Sequence, residues 1–541
     1  MSEECECTAK SAIRAIANEL LIRNQDKLTS EEIKSLEDIK DANEFLIKVI
    51  EKVTSRESLD LLRHLCVLED GIDRDLLEGV YGNVYENIKD LLDELISANI
   101  LEAHGSKLVF AFDQIKEELK EDKEDYHRIA VQYYEKKMER EGKSSDDQIK
   151  LISHCLKAGD TKRALEIFLE LSSEATGRVD KIIEIGEELL KVADYEDKGK
   201  VLRNLGNLCF DSRKAKEAEK YYLEAIGIYI ELSKKNQEYM PDLAKLLNNI
   251  ANLYSLLKKY DEAEENYQWA ARLFRDLDML PELAITLDNL GILYIDIDKL
   301  EEAENTLKEA FAIRKELAKS DPSQLQSLAM TLNNLGVLYR KMKKFDRVEE
   351  CYNYVLKIFK ELAEKSEENI VHLAATLNNL GALYIETDRV EEGLKYIGEA
   401  LEYEAMLPPD LKIKCYLLAG KGLEKLGDTE RAAELYMKAA SLSFTMFRQY
   451  GYRSINFIHY LEKVQEIASG ELKGDAILMK NAIMKLYYKR DVDFPEVECS
   501  KRGQIILKAA RGMDVGDFYT GSEEDLAAYI LAMDLLALPG K

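Results

Sequence analysis

The stretch LNNLGVLY at residues 332–339 returns almost unchanged as LNNLGALY at residues 377–384. Weaker copies lie upstream and downstream, so that one motif occurs six times along the chain. Neighbouring copies are 39 to 45 residues apart, and self-similarity on this scale predicts a solenoid whose units bury their apolar faces against one another. The central Gly or Ala of each copy, which we call the anchor, is Gly206, Ala251, Gly291, Gly336, Gly381 and Gly420.

Apolar and aromatic residues recur at fixed distances from each anchor, which is taken as offset 0. Offsets −4, −1 and +3 lie with the anchor on one side of a helix and predict its buried stripe. These residues are Leu202, Leu247, Leu287, Leu332, Leu377 and Tyr416 at −4; Leu205, Ile250, Leu290, Leu335, Leu380 and Ala419 at −1; and Cys209, Tyr254, Tyr294, Tyr339, Tyr384 and Leu423 at +3.

A second helix is predicted downstream of each motif, with small residues at +12 and +19 around a larger one at +16. A small residue lets two helices approach closely, and the larger one fills the space beside it. The +16 residues are Tyr222, Tyr267, Leu307, Tyr352, Ile397 and Tyr436. Five of the seven prolines lie at junctions between repeats, which indicates that the first helix of each repeat starts early.

This small–aromatic–small spacing resembles the tetratricopeptide repeat. The long period and the LNNLG-type signature resemble the kinesin-light-chain subgroup of these repeats, whose members bind peptides. The resemblance implies an all-α fold, a right-handed α-solenoid over residues 198–440. Residues 145–197 are predicted to hold a degenerate repeat and a linking helix (180–192), and residues 441–541 a helical C-terminal cap. The cap is expected to contain helices at 446–468, 472–488, 496–511 and 522–538.

The N-terminal third does not show the repeat, and its predicted elements follow a different order. Residues 1–57 are predicted to be helical, and residues 58–135 to form helices at 59–68, 73–80 and 84–98 followed by a β-hairpin about Gly105. This order resembles a winged helix, and the continuation resembles the segment that joins winged helix to repeats in maltose-regulator-type signal-transduction ATPases. The phosphate-binding loop of those ATPases is missing, since residues 1–55 contain no glycine. The resemblance therefore implies no nucleotide turnover.

Composition and motifs narrow the functional classes. The net charge of −27 disfavours nucleic acid as a partner, and the expected groove helix of the winged-helix-like module, VYENIKDLLDELI at 84–96, carries four acids against one lysine. No apolar run long enough for a membrane span and no secretory signal is present, so we expect a cytoplasmic protein. We find no catalytic signature, metal-ligand pattern or cofactor motif, and we predict that the protein is not an enzyme.

The asparagines at offset −2 are the candidate functional residues. Five of the six repeats carry one: Asn204, Asn249, Asn289, Asn334 and Asn379. Offset −2 lies nearly opposite the buried stripe, so these amides are expected to point away from the core of each helix pair. The resemblance to tetratricopeptide repeats, whose first helices line the concave groove, implies that they line that groove. An amide both donates and accepts, which suits the backbone of an extended peptide. The alternative is that the asparagines bond to neighbouring backbone and only set the geometry between repeats.

Further residues are expected on the same face. Offsets +1 and +4 supply apolar side chains in the middle repeats, including Ile295 and Ile385, with a few cations beside them. The predicted peptide-binding set, in addition to the five asparagines, is Arg203, Asn207, Asn252, Ile292, Val337, Arg340 and Lys341.

We therefore expect a protein–protein interaction scaffold whose groove binds an extended peptide or partner tail, with apolar side chains and an acid or free carboxylate. The alternative function is a stand-alone regulatory sensor, related to signal-transduction ATPases, that binds an effector or a partner ATPase and acts on transcription. The sequence does not determine the partner or the oligomeric state.

Overall fold

The computed structural model describes residues 3–68, 72–174, 177–450, 456–511, 513 and 523–537. Two compact units divide the chain, Met1–Asn266 and Tyr267–Lys541, and we describe each by itself. The predicted all-α fold of stacked helix pairs is confirmed. In the part of the chain that the structure describes, no helix combines the length and apolarity needed to cross a bilayer.

Three helices open the first unit, and α1 packs against α3. The start of α2 has a capping box, in which the Thr29 hydroxyl and the Glu32 carboxylate each accept a backbone N–H of the other residue. The Asp41 carboxylate caps α3 by accepting two backbone N–H groups. The three helices are α1 (Glu3–Arg23), α2 (Ser30–Glu37) and α3 (Ala42–Val53).

A three-stranded antiparallel sheet follows, with strand order β1-β3-β2. The predicted hairpin is confirmed: Leu101 pairs with Phe110 across the turn at Gly105, where φ is +66°. Strand β1 was not predicted, because two residues are too few to show an alternating pattern. The helices and hairpin occur in the predicted order, and the winged-helix assignment stays a prediction. The elements are α4 (Arg56–Leu65), β1 (Ile72–Asp73), α5 (Arg74–Tyr81), α6 (Ile88–Ser97), β2 (Leu101–His104) and β3 (Lys107–Phe110).

Five further helices lead to the first complete repeat. The degenerate repeat predicted upstream corresponds to a packed helix pair, α9 and α10, in which Ala164 and Phe168 are fully buried. The predicted linking helix is α11. These helices are α7 (Asp113–Leu119), α8 (Glu124–Glu141), α9 (Ser145–Lys157), α10 (Thr161–Glu174) and α11 (Val179–Val192).

Six helix pairs make up the repeats, and every first helix has 17 residues, with the anchor at its twelfth position. Pro241, Pro281 and Pro409 lie in the first turn of their helices, which confirms the early start. The pairs are α12 (Tyr195–Asp211) and α13 (Ala215–Lys235); α14 (Met240–Leu256) and α15 (Tyr260–Asp276); α16 (Leu280–Asp296) and α17 (Leu300–Ser320); α18 (Leu325–Lys341) and α19 (Phe345–Ala363); α20 (Ile370–Glu386) and α21 (Val390–Leu401); and α22 (Pro409–Lys425) and α23 (Thr429–Tyr450).

In the five helix pairs with a glycine anchor, the anchor and the +16 side chain are in close contact. A Cβ placed on Gly206 would lie 2.5 Å from Cδ1 of Tyr222, and one on Gly381 would lie 2.5 Å from Cγ1 of Ile397. Gly291, Gly336 and Gly420 face Leu307, Tyr352 and Tyr436 in the same way. The predicted buried stripe is confirmed at every position except Leu423, which is half-buried, and all residues at +16 are buried.

The turn within each repeat has the same backbone geometry. The residue at offset +7 lies in the left-handed region in all six repeats, although only the last is glycine. These residues, with φ between +57° and +83°, are Arg213, Lys258, Asp298, Lys343, Asp388 and Gly427.

Four helices follow the last repeat, and α23 packs against α24 and α27. Phe444, Leu461 and Ile506 belong to the buried core of this region. The single helix predicted at 446–468 is wrong: residues 446–450 belong to α23, and Asn456, directly before α24, is not helical. Residues 451–455, Ser522 and Leu538 lie outside the described residues. The helices are α24 (Phe457–Ile467), α25 (Gly470–Tyr487), α26 (Lys501–Ala510) and α27 (Glu523–Leu536).

The anchor contact makes a prediction for one helix pair. In Gly206→Ala, overpacking against Tyr222 should cost about 1–3 kcal/mol, which exceeds the gain of about 1 kcal/mol in helix propensity. In Gly227→Ala, on the exposed side of α13, only the gain remains, because nothing lies within 4 Å of the new Cβ. Urea denaturation midpoints should therefore fall for the first variant and rise for the second. A rise for both would refute the packing role of Gly206.

The turn geometry makes a second prediction. Lys343 is exposed and has a φ of +57°, so Lys343→Gly should stabilise the protein by up to about 1 kcal/mol by relieving left-handed strain. Gly427→Ala, at the equivalent position with a φ of +83°, should destabilise it by about 1 kcal/mol. Thermal melts of both variants measure the two shifts, and shifts of the same sign would contradict the account.

Candidate peptide-binding surface

The five asparagines at offset −2 lie on the first helices at the border between core and surface. Their neighbours at −1 and 0 are buried, whereas the asparagines themselves are half-buried. Part of each side chain is therefore accessible. The five are Asn204 and Asn249 in the first unit, and Asn289, Asn334 and Asn379 in the second.

In the first unit these amides bond to protein groups. The Asn249 amide donates to Oδ1 of Asn207 over 3.1 Å, and the Tyr222 hydroxyl donates to the same oxygen over 2.9 Å. Asn204 donates to the carbonyl of Lys200 and accepts from the Ser172 hydroxyl. The half-buried Asn252 also has a partner. The Asn249–Asn207 bond links two successive first helices, as the structural alternative for the asparagines requires.

In the second unit a buried polar cluster ties one repeat to the next. Oδ2 of Asp288 accepts from the Arg314 guanidinium over 3.1 Å and from the Thr331 hydroxyl over 2.8 Å. The Asn334 side chain also interacts with this carboxylate and favours its charged form. Burial raises the pKa of the Asp288 carboxyl, and Arg314 and Thr331 oppose that shift. Asn334 is thus partly committed to the contact between α16 and α18.

The remaining asparagines of the second unit differ from one another. Asn289 has a partner, whereas Asn379 has no hydrogen-bond partner among the described residues. One position earlier, Oδ1 of Asn333 and of Asn378 is buried, again with no partner in the described part of the chain. Amide capacity therefore remains on α18 and α20.

Exposed apolar side chains flank the asparagines of α16 and α18. Offsets −6, −2 and +1 are spaced i, i+4 and i+7, so they share one face of a helix. Ile285 and Ile292 are 46% and 40% exposed on α16, and Met330 and Val337 are 60% and 51% exposed on α18. We call these four residues the apolar stripe. The Asp288–Thr331 hydrogen bond shows that the two helices are neighbours, so the stripe is one patch.

The sequence placed some residues of this face correctly and others wrongly. Ile292 and Val337 are exposed as predicted, but Ile295 and Ile385 at offset +4 are buried. At 100° per residue, +4 is only about 40° from the anchor, whereas −6 and +1 are at about 120° and 100°. Ile285 and Met330 at −6 were missed, and the same angular calculation would have found them.

The predicted cations have acidic partners. Arg203 pairs with Asp242, Arg340 pairs with Glu386, and Lys341 pairs with Asp298 and donates to the carbonyl of Ile295. A carboxylate on a ligand would have to compete with these acids. The accessible chemistry of the second unit is therefore amide and apolar rather than cationic.

Paired helices with small anchors and a constant turn define a helical-repeat protein. Comparison with models of known families identifies the type of repeat. Models described as tetratricopeptide repeat match residues 242–316, 373–408 and 413–445. These segments of the chain therefore match the tetratricopeptide repeat. Repeats of this class build extended surfaces for binding proteins. None of the matching models describes a catalytic domain.

Solved structures with similar helical repeats come from several organisms. BtubC (BKLC) from P. vanneervenii is 24% identical, with 45% of this chain and 92% of that chain covered and a TM-score of 0.37. A signal-transduction ATPase with a tetratricopeptide-repeat sensor from Pyrococcus horikoshii is 14% identical, with 93% and 71% covered and a TM-score of 0.42. Aspartyl phosphate phosphatase F from Bacillus subtilis is 15% identical, with 82% and 96% covered and a TM-score of 0.37. No curated protein matches the chain.

The buried pair Asp288–Arg314 leads to a testable prediction. The residues at the equivalent positions of two other repeats suggest which substitutions to make. Arg314 stands 23 residues after its anchor, where two other repeats have Phe274 and Phe359, and Asp288 stands where they have asparagine. Arg314→Phe alone should destabilise the protein by about 3–5 kcal/mol, because it leaves a buried carboxylate unpaired. Adding Asp288→Asn should recover most of that loss. Denaturation of the two single variants and the double variant measures the coupling, and simple additivity would contradict it.

Proposed function

We propose that this chain is a non-enzymatic interaction scaffold that binds an extended peptide, or the tail of a partner protein, along the first helices of its repeats. The contact is centred on α16 and α18 in the second unit. The ligand would place apolar side chains against the apolar stripe and its backbone against neighbouring amides.

The exposure of the stripe is the observation that carries this proposal. Four large apolar side chains, each 40–60% exposed, lie on two neighbouring helices at matching offsets. Covering each side chain would contribute about 1 kcal/mol, since only part of its surface remains to be buried. The equivalent positions on α12 and α14 carry Lys200, Asn207, Lys245 and Asn252, so the apolar character is confined to particular repeats.

The amides would add backbone recognition that is independent of ligand sequence. Asn289 and Asn334 lie between the apolar residues of their helices, at the middle of each i, i+4, i+7 set. Asn334 also interacts with the buried Asp288 carboxylate, so it would serve both the protein and a ligand. The pairing of Arg340 and Lys341 with acids favours apolar over acidic ligand side chains.

Peptide selection tests the proposal directly. Peptides selected from a random display library against the native protein would be measured by fluorescence anisotropy. Ile292→Asp with Val337→Asp should weaken their binding at least tenfold, because the two new charges must be desolvated beneath the peptide. Tyr354→Asp on α19 is the control for each single charge, since it adds one aspartate at a residue that is 38% exposed on a second helix. Unchanged binding by the double variant, with the helical circular dichroism signal preserved, would refute this site.

A second pair of changes separates the two roles of the asparagines. If they contact the ligand, Asn289→Ala with Asn334→Ala should weaken peptide binding while the helical signal persists. If they only set repeat geometry, the melting temperature should fall and the affinity of the folded protein should stay the same.

A further inference from the structure

An open apolar groove lies in the first unit between α12 and α13, beside the end of α11. We call it the α13 groove. All of its lining residues fall within 177–450, a stretch that the structure describes without a gap. Gly227 lines the groove, and nothing lies within 4 Å of a Cβ placed on this glycine. The volume is about 600 Å³, and the apolar lining consists of Leu190, Tyr195, Leu202 and Ile228.

Large apolar side chains are exposed around this groove. Tyr195 lines it, Val192 ends α11 just before it, and Leu223 lies one turn before Gly227 on the same face of α13. Val192, Tyr195 and Leu223 are each 50–56% exposed. Single exposed apolar residues are ordinary, but a group of them around one groove marks an interaction site.

The other repeats show that Leu223 is exceptional. It stands at offset +17, where the four middle repeats have exposed residues that are polar or small: Gln268, Lys308, Asn353 and Gly398. The sixth repeat has Met437 at this offset, and Met437 is buried in the core that α23 forms with the C-terminal helices. Ser441, which is equivalent to Gly227, is buried as well. A large apolar residue at +17 is thus covered in the sixth repeat and uncovered in the first.

Two charged side chains also line the groove, Lys198 and Glu224. The part of the chain that the structure describes contains no ion-pair or hydrogen-bond partner for either of them. The nearby Lys200, by contrast, pairs with Glu196 and Asp197. A face with one unpaired charge of each sign is complementary to itself about a twofold axis, because the cation of one copy then meets the anion of the other.

We propose that the α13 groove is the contact of a twofold homodimer, so that its occupant is a second copy of this chain. Tyr195 and Leu223 of each copy would pack against the groove of the other. Lys198 of each copy would pair with Glu224 of the other. A net charge of −27 makes two copies repel each other in general, whereas the charges of this face balance. An apolar centre with a charged rim is also the usual anatomy of a protein–protein interface.

Sedimentation velocity over a dilution series tests the proposal. The native chain should sediment as a dimer at high concentration and as a monomer after dilution. Lys198→Glu should weaken the dimer at least tenfold, because the new carboxylate would face Glu224 of the other copy. Glu224→Lys should weaken it as strongly although it makes the chain less negative. A general effect of net charge predicts the opposite result for that variant.

Mixing the two single variants is the sharper experiment. One copy then has acids at positions 198 and 224 and the other has lysines at both, so each of the two contacts becomes an acid–lysine pair. An equimolar mixture should therefore form a heterodimer with an affinity near that of the native dimer. Lys198→Glu with Glu224→Lys in one chain exchanges the two charges and should restore the homodimer.

Two further variants serve as controls. Lys34→Glu, at an exposed lysine of α2 outside the groove, makes the same change in net charge as Lys198→Glu and should leave the dimer unchanged. Leu223→Asp should abolish the dimer while the helical circular dichroism signal persists, because the residue is exposed in the monomer. A native chain that stays monomeric up to its solubility limit would overturn the proposal and leave the groove to a different occupant. Dimers that persist in both single variants, or single variants that stay apart when mixed, would overturn it as well.

The dimer goes beyond the peptide-binding proposal and does not rest on it. Ile292→Asp with Val337→Asp changes α16 and α18 and should leave the dimer unchanged. Peptide binding by a monomer and dimerisation without peptide binding are distinct results, so the two proposals can fail independently.

Discussion

The close approach of two helices at the anchor is the constraint on which the repeats depend. Where the anchor is glycine, the +16 side chain occupies the place of its missing Cβ, and the two helices meet without a gap. Every first helix then has the same length, and every turn uses a left-handed residue at +7. Because interiors are close-packed, a contact this tight allows few alternative geometries. The surface positions of each repeat follow from it, including those of the candidate site.

The two units use the same offset in different ways. In the first unit, Asn204, Asn207 and Asn249 bond to protein groups and help to set the geometry between repeats. In the second unit, a buried Asp–Arg pair takes over part of that task, and exposed apolar residues surround the asparagines. The same motif can therefore stabilise the contact between repeats in the first unit and contribute to a binding surface in the second. A ligand surface is favoured where exposed apolar side chains accompany the amides.

Much of the repeat architecture could be predicted, because each position of the motif occurs in six copies whose residues can be compared. The buried stripe, the small and large residues of the second helices, and the proline-marked starts all agree with the structure. The errors in secondary structure occurred outside the regular repeats. Strand β1 is too short to show a period, and the boundary between α23 and α24 had no second copy to compare with.

The sequence by itself determined the fold class, the number of repeats, the buried stripe and the face on which Ile292 and Val337 lie, because helical periodicity converts spacing directly into orientation. Only the tertiary structure decided which polar groups still have bonding capacity. Whether Thr331 bonds to Asp288 and whether Arg340 pairs with Glu386 depend on residues far apart in the chain. Such pairings depend on how the helices pack, so they cannot be predicted from a local sequence pattern.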